Sequence, residues 1–232
     1  ECIKNNPNCT LYTNSENTNS WIEKNLASTK LPGKIQIFKN KIKFRELLKD
    51  TFPLYFFKGI KFEELAHLSL ENIKFPFIIK PAVGFFSLGV HKVDNPEEWP
   101  LVLNKITNDI AEIRSFYPNE VVDTSNFIIE ECIEGEEYAM DCYFNKEGEP
   151  VILSIFHHRF STGKDVNDRV YTTSKEIIET HLPAMQKFMD RLSTLANLKN
   201  FPFHVEVRID KSGTIIPIEV NPMRFGGWCT TA

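Results

Sequence analysis

A chain of 232 residues with 42% hydrophobic and 25% charged content can bury one large core or two small ones. Its 27 Lys and Arg against 31 Asp and Glu leave a net charge of -4, so no global basic field draws it to nucleic acid or to an anionic membrane surface. No apolar run reaches the roughly 18 residues of a membrane helix and no signal-peptide pattern opens the sequence, so a soluble, cytoplasmic protein is expected.

Cys2, Cys9, Cys132, Cys142 and Cys229 form no CxxC pair, and an odd number suits a disulfide framework poorly, so reduced thiols are expected. The first residue is not Met, and the last residues follow directly on a glycine-containing turn; a piece of a longer protein is expected.

Residues 1 to about 30 are rich in Asn, Thr and Ser, with a helix expected around Trp21 to Leu26. Leu31-Pro32-Gly33 then punctuates the chain before a short apolar strand, Ile35 to Phe38, and this stretch reads as the tail of a preceding domain. Lys41 to Asp50 has the spacing of a helix with Ile42, Leu47 and Leu48 as its buried stripe, and Leu54 to Phe57 reads as a strand.

Phe75 to Pro81 is a buried-type strand ending in Lys80; the loop Ala82 to Gly89 joins it to a strand at Val90 to Val93. Asn95-Pro96-Glu97-Glu98 supplies a cap, a proline and acids for the first turn of a helix carrying Trp99, Val102, Leu103, Ile106, Ile110 and Ile113 to about Phe116. Strands follow at Asn126 to Ile133, Glu137 to Phe144 and Val151 to Arg159; Phe160 to Thr173 reads as a polar loop. A helix from Lys175 to about Leu198 presents Leu182, Met185, Phe188, Met189, Leu192 and Leu195. The final hairpin joins His204–Asp210 to Thr214–Val220 through Lys211-Ser212-Gly213.

That hairpin carries the most chemistry. Alternation puts His204, Glu206 and Arg208 on one face, and a turn centred on Ser212-Gly213 sets Glu206 opposite Glu219. Like charges facing each other destabilise a strand pair unless something positive sits between them. With Asn221 they make three hard oxygen donors, a set suited to Mg2+; a solvated polar face is the alternative. Asn221-Pro222-Met223-Arg224-Phe225-Gly226-Gly227 then places an arginine in a glycine-containing turn, which suits phosphate.

Lys80 at a strand end beside a loop suits an anion, a snorkelling edge lysine being the alternative. Phe127 to Glu137 leaves one unit and enters another. Its backbone there could read an adenine edge and Glu137 could accept from ribose hydroxyls, although a run of acids is also what a solvated turn contains.

Lys41 in Asn40-Lys41-Ile42, Lys80 in Phe77-Ile78-Ile79-Lys80-Pro81, the Glu130–Glu137 crossing and the Glu206, Glu219, Asn221, Arg224 set together resemble the ATP-grasp superfamily. The likeness runs from about Ile35 to Gly227 and is most specific at Glu-Val-Asn-Pro-Met-Arg-Phe-Gly-Gly. It implies an α+β, ATP-grasp fold of two α+β lobes with the nucleotide between them, preceded by the remnant of an N-terminal α/β domain. Residues 1–38 would end that preceding domain and 39–232 would be the ATP-grasp domain, its small lobe about 73–133 and its large lobe about 134–232, truncated at the C-terminus.

By position in the family pattern, Lys41 and Lys80 reach the phosphates, Glu130, Glu131, Cys132 and Ile133 contact the base, and Glu137 the ribose. Glu206, Glu219 and Asn221 match the magnesium ligands, Arg224 matches the arginine that faces the transferred phosphate or the acyl intermediate, and Arg224 and Lys80 are the implied catalytic residues. Arg159, Lys164, Asp165 and Arg169 lie where relatives carry a segment over the site. Departures from the pattern are Phe85-Phe86 in the phosphate loop and Glu131 where lysine is common.

The implied cofactors are ATP and Mg2+, and the implied reaction joins a carboxylic acid to an amine or thiol through an acyl phosphate. Expected partners are small-molecule acid and amine substrates, without nucleic acid or membrane, and a homodimer is compatible with the family. Phosphate transfer to a hydroxyl by a kinase-type relative, and a nucleotide-binding module without catalysis, are the alternatives.

Overall fold

The computed structural model describes residues 5–6, 9–13, 15, 17–84, 88–116, 123–160 and 170–226. Phe85, Phe86, Lys164, Asp165, Arg169 and Gly227 lie outside the described residues, as do Cys2 and Cys229. The chain forms two compact units, one from the described residues of 40–132 and one from those of 1–39 and 133–232. Among the described residues Cys9, Cys132 and Cys142 are free thiols, and no helix is long and apolar enough to cross a membrane.

In the 40–132 unit, the Asn40 side chain accepts from the amides of Ile42 and Lys43 and so starts helix α1 of this unit's face, Lys41–Leu48. Strands β1 (Phe57–Lys61), β2 (Phe77–Val83), β3 (His91–Val93) and β4 (Asp123–Glu131) make a four-stranded sheet in the order β1-β4-β2-β3. Every pairing in it is antiparallel.

Alternation divides the side chains of this sheet. Phe77 and Ile79 of β2 join Phe127 and Ile129 of β4 in an apolar cluster with Trp99, Val102, Ile106 and Ile110, which belong to helix α2 (Trp99–Phe116). The intervening Lys80 and Glu130 fall on the other face, where α1 buries Phe44, Arg45 and Leu48.

Two expectations are corrected in this unit. The strand foreseen at Leu54 to Phe57 lies instead at Phe57–Lys61, and Leu54 is 94% exposed: pairing with β4, which an edge strand needs on one side only, outweighs local apolar content. The buried stripe of α1 is Lys41, Phe44, Arg45 and Leu48, with Ile42 and Leu47 half-buried. The buried Glu130 carboxylate admits Arg45 there, and Lys41 donates to the Gly84 carbonyl.

In the other unit, the segment foreseen as a strand at Ile35 to Phe38 is part of a helix, Leu31–Lys39. Ile35 and Phe38 stand three residues apart and share its buried side, and Pro32 sits in the first turn, where a missing N–H breaks no helical bond. Helix Asn17–Asn25 precedes it.

Strands β5 (Glu136–Phe144), β6 (Pro150–Arg159), β7 (Val170–Thr172), β8 (Phe201–Ile209) and β9 (Ile215–Pro222) form an antiparallel sheet in the order β7-β6-β5-β8-β9. Strand β7 stands where a loop was expected, because Val170 to Thr172 extend β6's ladder. One face of this sheet is apolar. Phe38 packs on Phe201 and Phe203, and Phe144 on Phe203.

Helix α3 (Lys175–Ala196) buries Met185, Phe188, Met189 and Leu192 and sets His181 against Tyr138. The side chain of Ser174 caps its start, and Asn197, at φ 48°, ends it in the left-handed region. Leu182 and Leu195 were foreseen in its buried stripe but are 38% and 40% exposed, so the stripe is narrower than the apolar pattern.

Candidate functional site

The opposite face of the β5–β9 sheet is polar, and strand register dictates what it carries. Glu137 pairs with Arg208, Ala139 with Glu206 and Asp141 with His204 across β5 and β8. Glu206 pairs with Glu219 and His204 with Asn221 across β8 and β9. Cross-strand partners share a face, so these residues stack as three successive rows.

A bulge decides the middle row. Near the turn Ile209 faces Ile215 and Val207 faces Pro217, a register that would put Ile218 opposite Glu206 and aim Glu219 at the apolar face. The register shifts between Glu206 and Val207, so that Glu219 meets Glu206 instead. The foreseen pairing is present, by way of an extra residue that alternation alone does not reveal.

In the first row, Arg208 Nε and Nη2 both lie 3.0 Å from Glu137 Oε2, and Nη1 donates to the carbonyl of Ile133 at 2.8 Å. Glu137 Oε1 is 2.7 Å from His158 Nδ1, and the His158 ring lies between Phe160 and Tyr171. Arg208 thus ties the start of β5 to β8.

In the second row, burial pushes the Glu206 carboxyl above the usual carboxylate range and the charge of Glu219 adds to that, while His204 opposes it. Asn221 Nδ2 lies 3.3 Å from Glu219 Oε1, a contact that uses the amide nitrogen and not its oxygen. Mg2+ takes a few protein oxygens and completes its shell with phosphate and water, and two carboxylates with one amide oxygen fit that demand. Among the described residues no three His, Cys, Asp or Glu gather as a group that could hold a metal ion by themselves.

In the third row, His204 Nδ1 lies 2.8 Å from Asp141 Oδ1 and its Nε2 lies 3.5 Å from Glu206 Oε1. Burial alone would lower the His204 pKa, but the two acids raise it to about 9. The turn after β9 closes this row: Met223, at φ 68°, donates to Pro202 O at 2.8 Å and accepts from Thr13 N at 2.7 Å. Arg224 follows, half-buried, with Nη1 3.2 Å from Phe225 O.

The 40–132 unit holds the other candidates. Glu130 lies between two cations, with Arg45 Nε at 2.8 Å and Lys80 Nζ at 2.5 Å. Burial would raise the Glu130 carboxyl, but Arg45 and Lys80 hold it down to about 2. The Arg45 guanidinium also stacks 4.5 Å from the centre of the Tyr55 ring, whose phenol burial pushes upward.

Lys41 Nζ donates to Gly84 O at 3.3 Å. Glu131 is held by its backbone, N–H to Phe56 O at 3.1 Å and C=O from Tyr55 Oη at 3.3 Å, and Cys132 N–H reaches Pro76 O at 3.4 Å. Lys41, Lys80, Glu130, Glu131 and Cys132 therefore share one unit, and Ile133, Glu137, Glu206, Glu219, Asn221 and Arg224 the other. Arg45 and Asp141 are the buried charges that pattern reading missed. Their partners are dozens of residues away in sequence, and no local signal marks them.

The ATP-grasp domain model of known proteins matches residues 73–232, well over half of the chain. The chain belongs to the ATP-grasp family. This ATP-grasp chain is 30% identical over 168 residues to a D-alanine--D-alanine ligase of Bacillus anthracis, an alignment covering 70% of the chain and 49% of the relative. It thus spans about half the length of the curated relatives it matches.

The L-amino acid ligase of Bacillus licheniformis superposes with a TM-score of 0.67 at 27% identity, covering 91% of this chain and 49% of that one. The biotin carboxylase domain of a 2-oxoglutarate carboxylase from Hydrogenobacter thermophilus, solved with MgADP, superposes with a TM-score of 0.60 over 83% of this chain and 41% of that one. At 16% identity that likeness is one of fold alone. The α+β ATP-grasp architecture foreseen from the sequence is the one present.

Proposed function

We propose that this chain is the nucleotide-binding part of a ligase that uses Mg-ATP to activate a carboxylic acid as an acyl phosphate for attack by an amine. The observation that carries the reading is the half-buried, facing pair Glu206 and Glu219, with Asn221 beside it and the Arg224 turn directly after. Two acids kept opposite one another on a polar sheet face call for a cation. The ligase relatives support acid and amine substrates of amino-acid type.

In this reading Glu206, Glu219 and Asn221 hold Mg2+. ATP supplies the phosphoryl group that turns the carboxylate into an acylating agent, and the metal offsets charge on the phosphates. Lys41 and Lys80 bind phosphate oxygens; Glu130 holds the Lys80 ammonium in place until a phosphate shares it. Arg224 faces the transferred phosphate and stabilises its charge.

The base is assigned to the backbone of Glu130, Glu131, Cys132 and Ile133, where the Glu131 and Ile133 carbonyls each accept one hydrogen bond and keep a second lone pair. Glu137 is assigned to the ribose hydroxyls on the same ground, since a carboxylate accepts about four hydrogen bonds and Arg208 and His158 leave capacity over. Residues 39–232 are assigned to the nucleotide-binding domain and 1–38 to the end of the preceding one. No side-chain nucleophile is required.

Calorimetry of ATP binding with and without Mg2+, on wild type and Glu219→Ala, tests the proposal. Binding that Mg2+ strengthens, with that gain lost in the variant, supports it, and phosphate release on addition of amino acids then identifies the acid. Absence of binding by wild type sinks it.

A further inference from the structure

Asp141 has no reacting role in that assignment, yet it is 0% exposed, the most deeply buried of the described acids. A buried carboxylate persists only where its oxygens are satisfied. Its Oδ1 accepts from His204 Nδ1 at 2.8 Å and from the backbone N–H of Gly226 at 2.7 Å, and Ser154 Oγ lies 3.4 Å from Oδ2.

Each contact reaches a different part of the candidate site. A carboxylate only accepts, so it fixes the proton on Nδ1 and the plane of the His204 ring, which leaves Nε2 toward Glu206 Oε1 at 3.5 Å. The Gly226 amide belongs to the turn that follows Arg224. A Cβ on Gly226 would stand 2.5 Å from both Cε1 and Nδ1 of His204, so the backbone there lies against the ring at a distance that only glycine allows. One carboxylate oxygen therefore anchors the neighbour of a strand acid and the end of a turn at once.

We propose that Asp141 is a positioning residue of the metal and phosphate site: through His204 it orients the Glu206 carboxylate, and through the Gly226 amide it fixes the turn that presents Arg224. Asp141 touches neither metal nor nucleotide in this scheme. The inference rests on the reading of Glu206 as a magnesium ligand. Outer partners of this kind commonly alter metal affinity about 10- to 100-fold when removed.

The test is calorimetry of ADP binding to the full chain in excess Mg2+ and again in EDTA, for wild type, Asp141→Asn, Gly226→Ala and Glu219→Ala. Asp141→Asn keeps the size of the side chain and weakens its grip on His204 and Gly226. Gly226→Ala leaves the Asp141 carboxylate in place and pushes the turn off the ring. Both are expected to lose roughly tenfold or more in Mg2+ and to stay within about twofold of wild type in EDTA.

Equal losses in the two buffers would mean a merely structural role, and wild-type affinity in Mg2+ would mean no role; either overturns the proposal. Should Asp141→Asn lack a cooperative thermal transition, Gly226→Ala decides. If wild type itself gains nothing from Mg2+, and Glu219→Ala matches it, the reading of Glu206 and Glu219 as metal ligands falls, and the positioning role with it.

Discussion

Lys80 and Glu130 form an ion pair of 2.5 Å whose side chains are 6% and 3% exposed, and Arg45 closes on the same carboxylate at 2.8 Å. One buried acid thus sets the position of two cations, one from α1 and one from β2. Removing the acid strands both charges in a poorly solvated place. Glu130→Gln is expected to destabilise the protein by about 3–5 kcal/mol, read from urea unfolding, with the slope of the transition unchanged. A midpoint equal to wild type would show that the triad contributes nothing net.

The same carboxylate predicts an acid limit. Its folded pKa is about 2 against an ordinary value of 4.5, a depression that stabilises the fold fully above pH 5 and is lost as pH falls toward 2. Denaturant midpoints measured from pH 6 down to pH 2.5 should therefore decline, by on the order of 3 kcal/mol from this group. In Glu130→Gln the decline should be shallower by that amount.

The facing acids of the second row set like charges opposite one another. Glu219→Gln removes a like charge opposite Glu206, so the metal-free variant is expected to melt at or above the wild-type temperature, a gain of about 0.5–1 kcal/mol. Adding Mg2+ to ADP should raise the wild-type melting temperature beyond the effect of ADP alone and give the variant no such further rise. A variant less stable than wild type without metal would show that repulsion is not what this pair contributes.

Two glycines with positive φ separate backbone strain from steric clash. Gly135, at φ 121°, would bring a Cβ within 2.1 Å of Ile209 O, whereas Gly213, at φ 81°, has nothing within 4 Å. Gly135→Ala is expected to lose about 3 kcal/mol and Gly213→Ala about 1 kcal/mol by chemical denaturation. Equal losses would mean that the close approach of β8's end to residue 135 is unimportant.

How much of this was legible depended on sequence distance. The terminal hairpin could be read because its strands are adjacent and its polar positions alternate; even so, the Glu206–Glu219 pairing depends on a bulge that no residue type announces. The strand carrying Lys80 and the capped helix from Trp99 were visible from apolar runs and from Asn95, whose side chain accepts from Glu98 N, but that strand continues past the expected end at Lys80–Pro81 to Val83, because its ladder with β4 extends to Asp123. The helix Leu31–Lys39 was misread because a nine-residue segment with Pro and Gly near its start offers only two buried positions, too few to set a period. Asp141 and Arg45 stayed hidden because β5 meets β8, and α1 meets β4, only once the chain is folded.

Residues 40–132 interrupt a unit made from the segments on either side of them. Helix Leu31–Lys39 rests on β9, and Thr13 N–H reaches Met223 O, so segments before residue 40 take partners from segments after residue 200. A ribosome delivers the interrupting unit complete while the first helices still have no sheet to dock on. Order of synthesis and order of closure are thus reversed for these segments: the 40–132 unit can finish its core co-translationally, and helix Leu31–Lys39, made before it, is secured only after β9 has followed it.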